Sequence, residues 1–148
     1  MSFSKSPVPT LLTPTLLGFD PGRDKCGLAI VGLDRALHYH RVISSSDVSA
    51  AIQNLRGTYP ISSIVMGDQT SSKQWQTRLG DLPNAPRIML VDERYSSLEA
   101  RDRYWEMYPP KGISKLLPQS LRSIPRPIDD IVAILLVERY LKRLSGDD

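Results

Sequence analysis

From Ile131 to Val137 every side chain is apolar, within a segment, Ile128 to Leu141, that has helical character. Those residues span about two turns of α-helix, so apolar groups face every direction around the axis. Such a helix belongs inside the molecule, not on its surface. The rest of the chain must therefore wrap it. The 148 residues favour one domain with a substantial core. The covering material is a set of short apolar runs separated by turn chemistry, the pattern of strands.

Along the chain, Met1 to Pro14 mixes Ser and Thr with Pro7, Pro9 and Pro14 and reads as a flexible tail (residues 1–14), leaving residues 15–148 as the single domain. Thr15 to Phe19 is a buried strand ending at Asp20, and Pro21 to Lys25 is a turn. Cys26 to Gly32 and Ala36 to Ile43 follow as second and third strands, completing a meander. Asp47 is placed to cap a helix through Arg56, with Val48, Ala51, Ile52 and Leu55 on one face. Ile61 to Met66 is a strand stopping at Gly67, Ser71 to Leu79 a helix, and Ile88 to Val91 a fifth strand. Ser97 to Met107 is helical until Pro109-Pro110, and Lys111 to Pro127 is a loop with Lys111, Lys115, Arg122 and Arg126 and no acid. The order predicts an α/β fold: a mixed five-stranded sheet, an antiparallel three-strand meander plus two parallel strands, with helices on both faces. Right-handed crossovers place strands one, four and five side by side.

That arrangement brings acidic strand ends to one edge. Ile88-Met89-Leu90-Val91 runs into Asp92 and Glu93, and Ser96 with Glu99 has the spacing of a capping box. In α/β proteins, sites form at strand ends that lead into helices. Asp20 ends the first strand, and Asp129 opens the buried helix behind Pro127. Each carboxylate has an ordinary alternative. Asp20 before Pro21-Gly22 could open a turn, Asp92 and Glu93 could be solvated, and Asp129 or Asp130 could favour a helix N-terminus. Asp129 is preferred to Asp130, for which the sequence offers no partner. Remote carboxylates converging on rigid elements are the donor set for magnesium, and phosphodiester chemistry is its commonest use.

At these residues the chain resembles the YqgF/RuvX family, Holliday-junction resolvases of RNase H-like fold. The resemblance runs from about Leu16 to Leu141. It rests on Asp20-Pro21-Gly22 with Gly27-Leu28-Ala29, on the motif from Asp92 to Ala100, and on Ile128-Asp129 opening an apolar helix through Tyr140-Leu141. It implies an RNase H-like domain and an acidic triad of Asp20, Glu93 and Asp129 that serves as catalytic and metal-binding set. It also implies Mg2+ or Mn2+ as cofactor and structured nucleic acid as substrate, in junction resolution or in processing the precursor of small-subunit ribosomal RNA. The chain departs from the family at Gly67 to Ser72, where a Gly-Leu-Pro signature is usual, and at Asp24, where a basic residue is usual.

Arg23, Lys25, Arg94, Lys111, Lys115, Arg122 and Arg126 are the candidates for positioning a phosphate backbone, with Arg94 foremost because it adjoins Glu93. Solubilising charge is the alternative for each. Tyr95, Tyr104, Trp105 and Tyr108 are candidates for base stacking, although Tyr104 and Tyr108 share a helical face and packing is favoured there. His38 and His40 fall on one side of a regular strand but lack a third metal ligand. Ser44-Ser45-Ser46 has no paired base. The net charge of +3 is compatible with nucleic acid without requiring it. One cysteine, Cys26, excludes an internal disulfide. No apolar run approaches the roughly 18–20 residues of a bilayer span, and no signal-peptide core is visible, so the expected location is cytoplasmic. The reading is a metal-dependent endonuclease, with a non-catalytic nucleic-acid-binding scaffold as its rival. A sugar-kinase or actin-like ATPase would need a second domain. A two-fold homodimer would suit a symmetric junction.

Overall fold

The computed structural model describes residues 13–69 and 71–146. The first twelve residues of the expected tail and Thr70 of the Gly67–Ser72 turn lie outside the described residues. The strands are β1 (Thr15–Asp20), β2 (Lys25–Gly32), β3 (Leu37–Ser44), β4 (Ile61–Gly67) and β5 (Arg87–Val91). The helices are α1 (Val48–Arg56), α2 (Ser72–Gly80), α3 (Ser96–Met107) and α4 (Asp129–Ser145). They form one mixed sheet in the order β3-β2-β1-β4-β5, with β1–β2 and β2–β3 antiparallel and β1–β4 and β4–β5 parallel.

The two-residue periodicity of the strands divides the core into two layers. Leu17, Phe19, Leu28, Ile30, Ile64 and Met66 pack against Val48, Ile52 and Leu55 of α1 and Trp75 and Leu79 of α2. The alternate residues Leu16, Ala29, Val31, Val65 and Val91 pack against Ala100 and Tyr104 of α3 and the apolar stretch of α4. Ile131 to Val137 are all buried, as a helix apolar all round requires. Among the described residues no helix is long and apolar enough to cross a membrane.

Four local expectations are corrected. The Ser96–Glu99 capping box does not form: Ser96 is the first residue of α3, and the residue before it, Tyr95, adopts a left-handed conformation with no side-chain cap. Asp47 makes no capping bond either; it ends a 3-10 turn, Ser45–Asp47, that leads into α1. His38 and His40 lie on opposite faces of the sheet. The β2–β3 register shifts between Ile30↔Tyr39 and Val31↔Leu37, leaving His38 as an extra residue. A bulge of this kind interrupts strict alternation. His38 therefore sits beside Tyr59 on the α1 side, while His40 meets α4. The segment expected as plain loop after Pro110 contains two 3-10 turns, Gly112–Leu116 and Gln119–Leu121.

Candidate active site

Strand parity sends the acidic side chains to the α4 side of the sheet. Leu16 of β1 packs under α4, so Asp20, four residues on, faces the same way. Val65 does the same for Gly67 at the end of β4, and Val91 for Glu93 just beyond β5. Asp129 is the first residue of α4 itself.

Two glycines let these groups approach. Gly27 lies opposite Asp20 in the β1–β2 register, and a Cβ there would overlap the carbonyl oxygen of Asp129. The first turn of α4 therefore rests on bare backbone directly beside Asp20. At Gly67 a Cβ would come within 2.5 Å of the Glu93 carboxyl, so the carboxylate occupies the space that a side chain would fill. The backbone N–H of Gln69 donates to Glu93 Oε1 at 3.0 Å. The Gly67–Ser72 turn thus holds an acidic side chain as well as connecting β4 to α2.

The electrostatics follow from this crowding. Burial raises the Asp20 pKa most; the negative charges of Asp129 and Glu93 and a hydrogen bond to Asp129 raise it further, from 3.8 to about 8. The shift favours the protonated form of Asp20 at neutral pH. Burial also raises the Glu93 pKa, with Asp68 and Asp92 adding to the effect and the Gln69 N–H and Arg139 opposing it. As the side chains stand, no group of three or more His, Cys, Asp or Glu among the described residues is gathered to hold a metal ion. The donor chemistry nevertheless suits one. Buried carboxylates brought near one another are relieved by a hard dication with oxygen ligands.

The neighbouring residues divide by role. Asp92 accepts from the Arg94 backbone N–H at 2.9 Å and from its guanidinium, which holds the carboxyl below its usual range. Asp92 therefore serves the turn, and Arg94 is exposed while paired with it. Asp68 is exposed, and its N–H donates to the Val91 carbonyl. Arg23, in the β1–β2 turn, and Lys25, the first residue of β2, are exposed, and Arg23 lines a cleft of about 550 Å³ together with Gln74, Trp75 and Arg78. Lys111 and Lys115 are exposed. Arg122 and Arg126 are tied internally. Arg122 donates to the carbonyls of Ser114 and Leu117 and lies over the Trp105 ring. Arg126 binds Asp130 at 3.0 Å and lies over Tyr104 and Tyr108. Tyr104 and Tyr108 pack on one another, as their spacing indicates.

Three contributors were not legible in the sequence. Asp130 is buried and holds both His40, at 2.6 Å, and Arg126, fixing the start of α4 against β3. Arg139, on α4, donates to the Asp92 carbonyl at 2.7 Å and to Glu99 at 2.9 Å, anchoring the acidic turn. Arg78 lies over the Trp75 ring at 4.4 Å and donates to the Ser45 carbonyl. The bonds from Asp130 to His40, from Arg139 to the Asp92 carbonyl and from Arg78 to the Ser45 carbonyl each span at least 33 residues, where no local spacing signals the pair.

No family model matches the chain, and no curated protein matches it. Among solved structures it is similar to the crystal structure of a ROK family transcriptional regulator, described as a homolog of the E. coli MLC protein. Identity is 11% and the TM-score 0.38, over 63% of this chain and 31% of that chain. A likeness at that level bears on neither fold family nor function.

Proposed function

We propose that this chain is an RNase H-like protein of YqgF/RuvX type that hydrolyses phosphodiesters in branched or structured nucleic acid. The observation that carries the reading is the close approach of three acidic positions at one edge of the sheet: the backbone of Asp129 lies against Gly27, the register partner of Asp20, and the Glu93 carboxyl lies against Gly67, a crowding that, with burial, raises the Asp20 pKa. Stability alone does not favour such crowding. Asp20, Glu93 and Asp129 would be the ligands of magnesium or manganese, which when bound supplies activation of water and neutralises charge developing on the phosphodiester. The chain's own work is to hold these oxygens on a strand end, a turn and a helix start. Gln69 orients Glu93, and Arg139 fixes the backbone beside it. Arg94, Arg23, Lys25 and Arg78 would hold the backbone on either side. The test is cleavage of four-way-junction DNA and of structured RNA with magnesium. Asp20→Asn is expected to lose at least about 100-fold in rate. Equal cleavage by the variant would overturn the mechanism.

The departure from the family pattern at Gly67 to Ser72 and the modest net charge of +3 favour a second reading, a scaffold that binds nucleic acid without cutting it. Salt-dependent binding with no magnesium-dependent product would establish that reading instead.

A further inference from the structure

We propose that Tyr95 is a stacking platform for an unpaired nucleobase next to the scissile phosphodiester; this rests on the nuclease reading of the adjacent carboxylates. Tyr95 has φ 63° and ψ 8°, a left-handed conformation that a bulky aromatic rarely adopts. Its neighbours hold it there: the Ser96 N–H donates to the Glu93 carbonyl and the Glu99 N–H to the Tyr95 carbonyl, each at 3.1 Å. Glycine would accept this backbone without strain. The ring gains no burial in exchange, since Tyr95 is 74% exposed. Strain and apolar exposure are thus combined at one residue, two positions after Glu93.

The surroundings indicate what the ring faces. Tyr95 borders a depression of about 520 Å³ with Arg94, Arg139 and Arg143, on the side of the sheet that carries the carboxylates. Its two acids, Asp92 and Glu99, are paired with Arg94 and Arg139. An aromatic plane flanked by guanidinium groups suits a base with its phosphates, because every base offers a π-face and every linkage a negative charge. A base within a continuous duplex is already covered on both faces. Tyr95 therefore selects a nucleotide that is unstacked, as at a branch point, loop or single-stranded end.

The experiment measures binding in EDTA, where no cutting occurs, by anisotropy of a fluorescein-labelled single strand and of the same strand annealed to its complement. Tyr95→Ala and Tyr95→Gly are expected to lose about five- to a hundred-fold in affinity for the single strand and little for the duplex. Tyr95→Phe should bind like the wild type, and the melting temperature of Tyr95→Gly should equal or exceed it. Unchanged single-strand binding by Tyr95→Ala, or an equal loss on the duplex, overturns the proposal. A change in oligomeric state without a change in nucleic-acid binding overturns it as well. If the single-strand effect is found but the wild type yields no product with magnesium, the platform stands and the nuclease reading falls.

Discussion

Asp20 carries the sharpest consequence of the site. Its pKa in the folded protein, about 8, lies above the ordinary 3.8, so the folded chain binds more protons than the unfolded chain between those values. Stability from this group is complete below about pH 4 and falls as pH rises toward 8. Asp20→Asn removes the ionisation. Scanning calorimetry in EDTA should find the variant close to wild type at pH 4 and more stable by about 5 °C or more at pH 8. A constant difference across that range would show that the carboxylates do not repel one another as described. Asp20 and Asp129 stood out in the sequence because each ends or begins an element whose apolar pattern is clear, whereas Glu93 was set apart from Asp92 only by the family resemblance. Parity places Asp20 on the α4 face, whereas Glu93, beyond the end of β5, is set by its contacts with Gly67 and Gln69. The role of Asp130 was not legible, because its partner His40 lies on a strand 90 positions away, where the local pattern signals no pair.

Among the elements, α4 organises the site, and its distance from the sheet is set by what lies beneath it. Gly27 is the contact under its first turn. Gly27→Ala would force the Asp129 carbonyl away and is expected to cost about 2–3 kcal/mol, as overpacking a filled interior does. Urea denaturation would measure this, and a cost below about 0.5 kcal/mol would show that the helix has room to lift. The glycine was visible in the sequence as part of a Gly-x-Ala pattern; the space it leaves for a carbonyl on a helix 102 positions later was not. The start of α3 shows the opposite case. Ser96 and Glu99 have capping-box spacing, yet the turn is built by the bond from Ser96 to Glu93 and by Tyr95 in a left-handed conformation. Tertiary fixing of Glu93 took precedence over local capping.

The molecule as a whole has an uneven distribution of burial. The α4 stretch Ile131–Val137 and strands β1 and β2 are enclosed from both sides, whereas the 3-10 turns between Gly112 and Leu121 expose Ile113, Leu116 and Leu121. Hydrogen exchange is expected to protect the amides of α4 and β1 up to the global unfolding free energy and to release those of residues 112–121 much earlier. Uniform protection would contradict this division. The order and type of the strands and helices, the central place of α4 and the candidate acids are all readable from the residues, because apolar periodicity reports which side of each element is covered. The pairing of Asp130 with His40, the bulge at His38, the clasp of Arg139 on Asp92 and the raised pKa of Asp20 come only with folding. Each depends on distances between groups far apart along the chain, and those distances exist only once the sheet and α4 have packed.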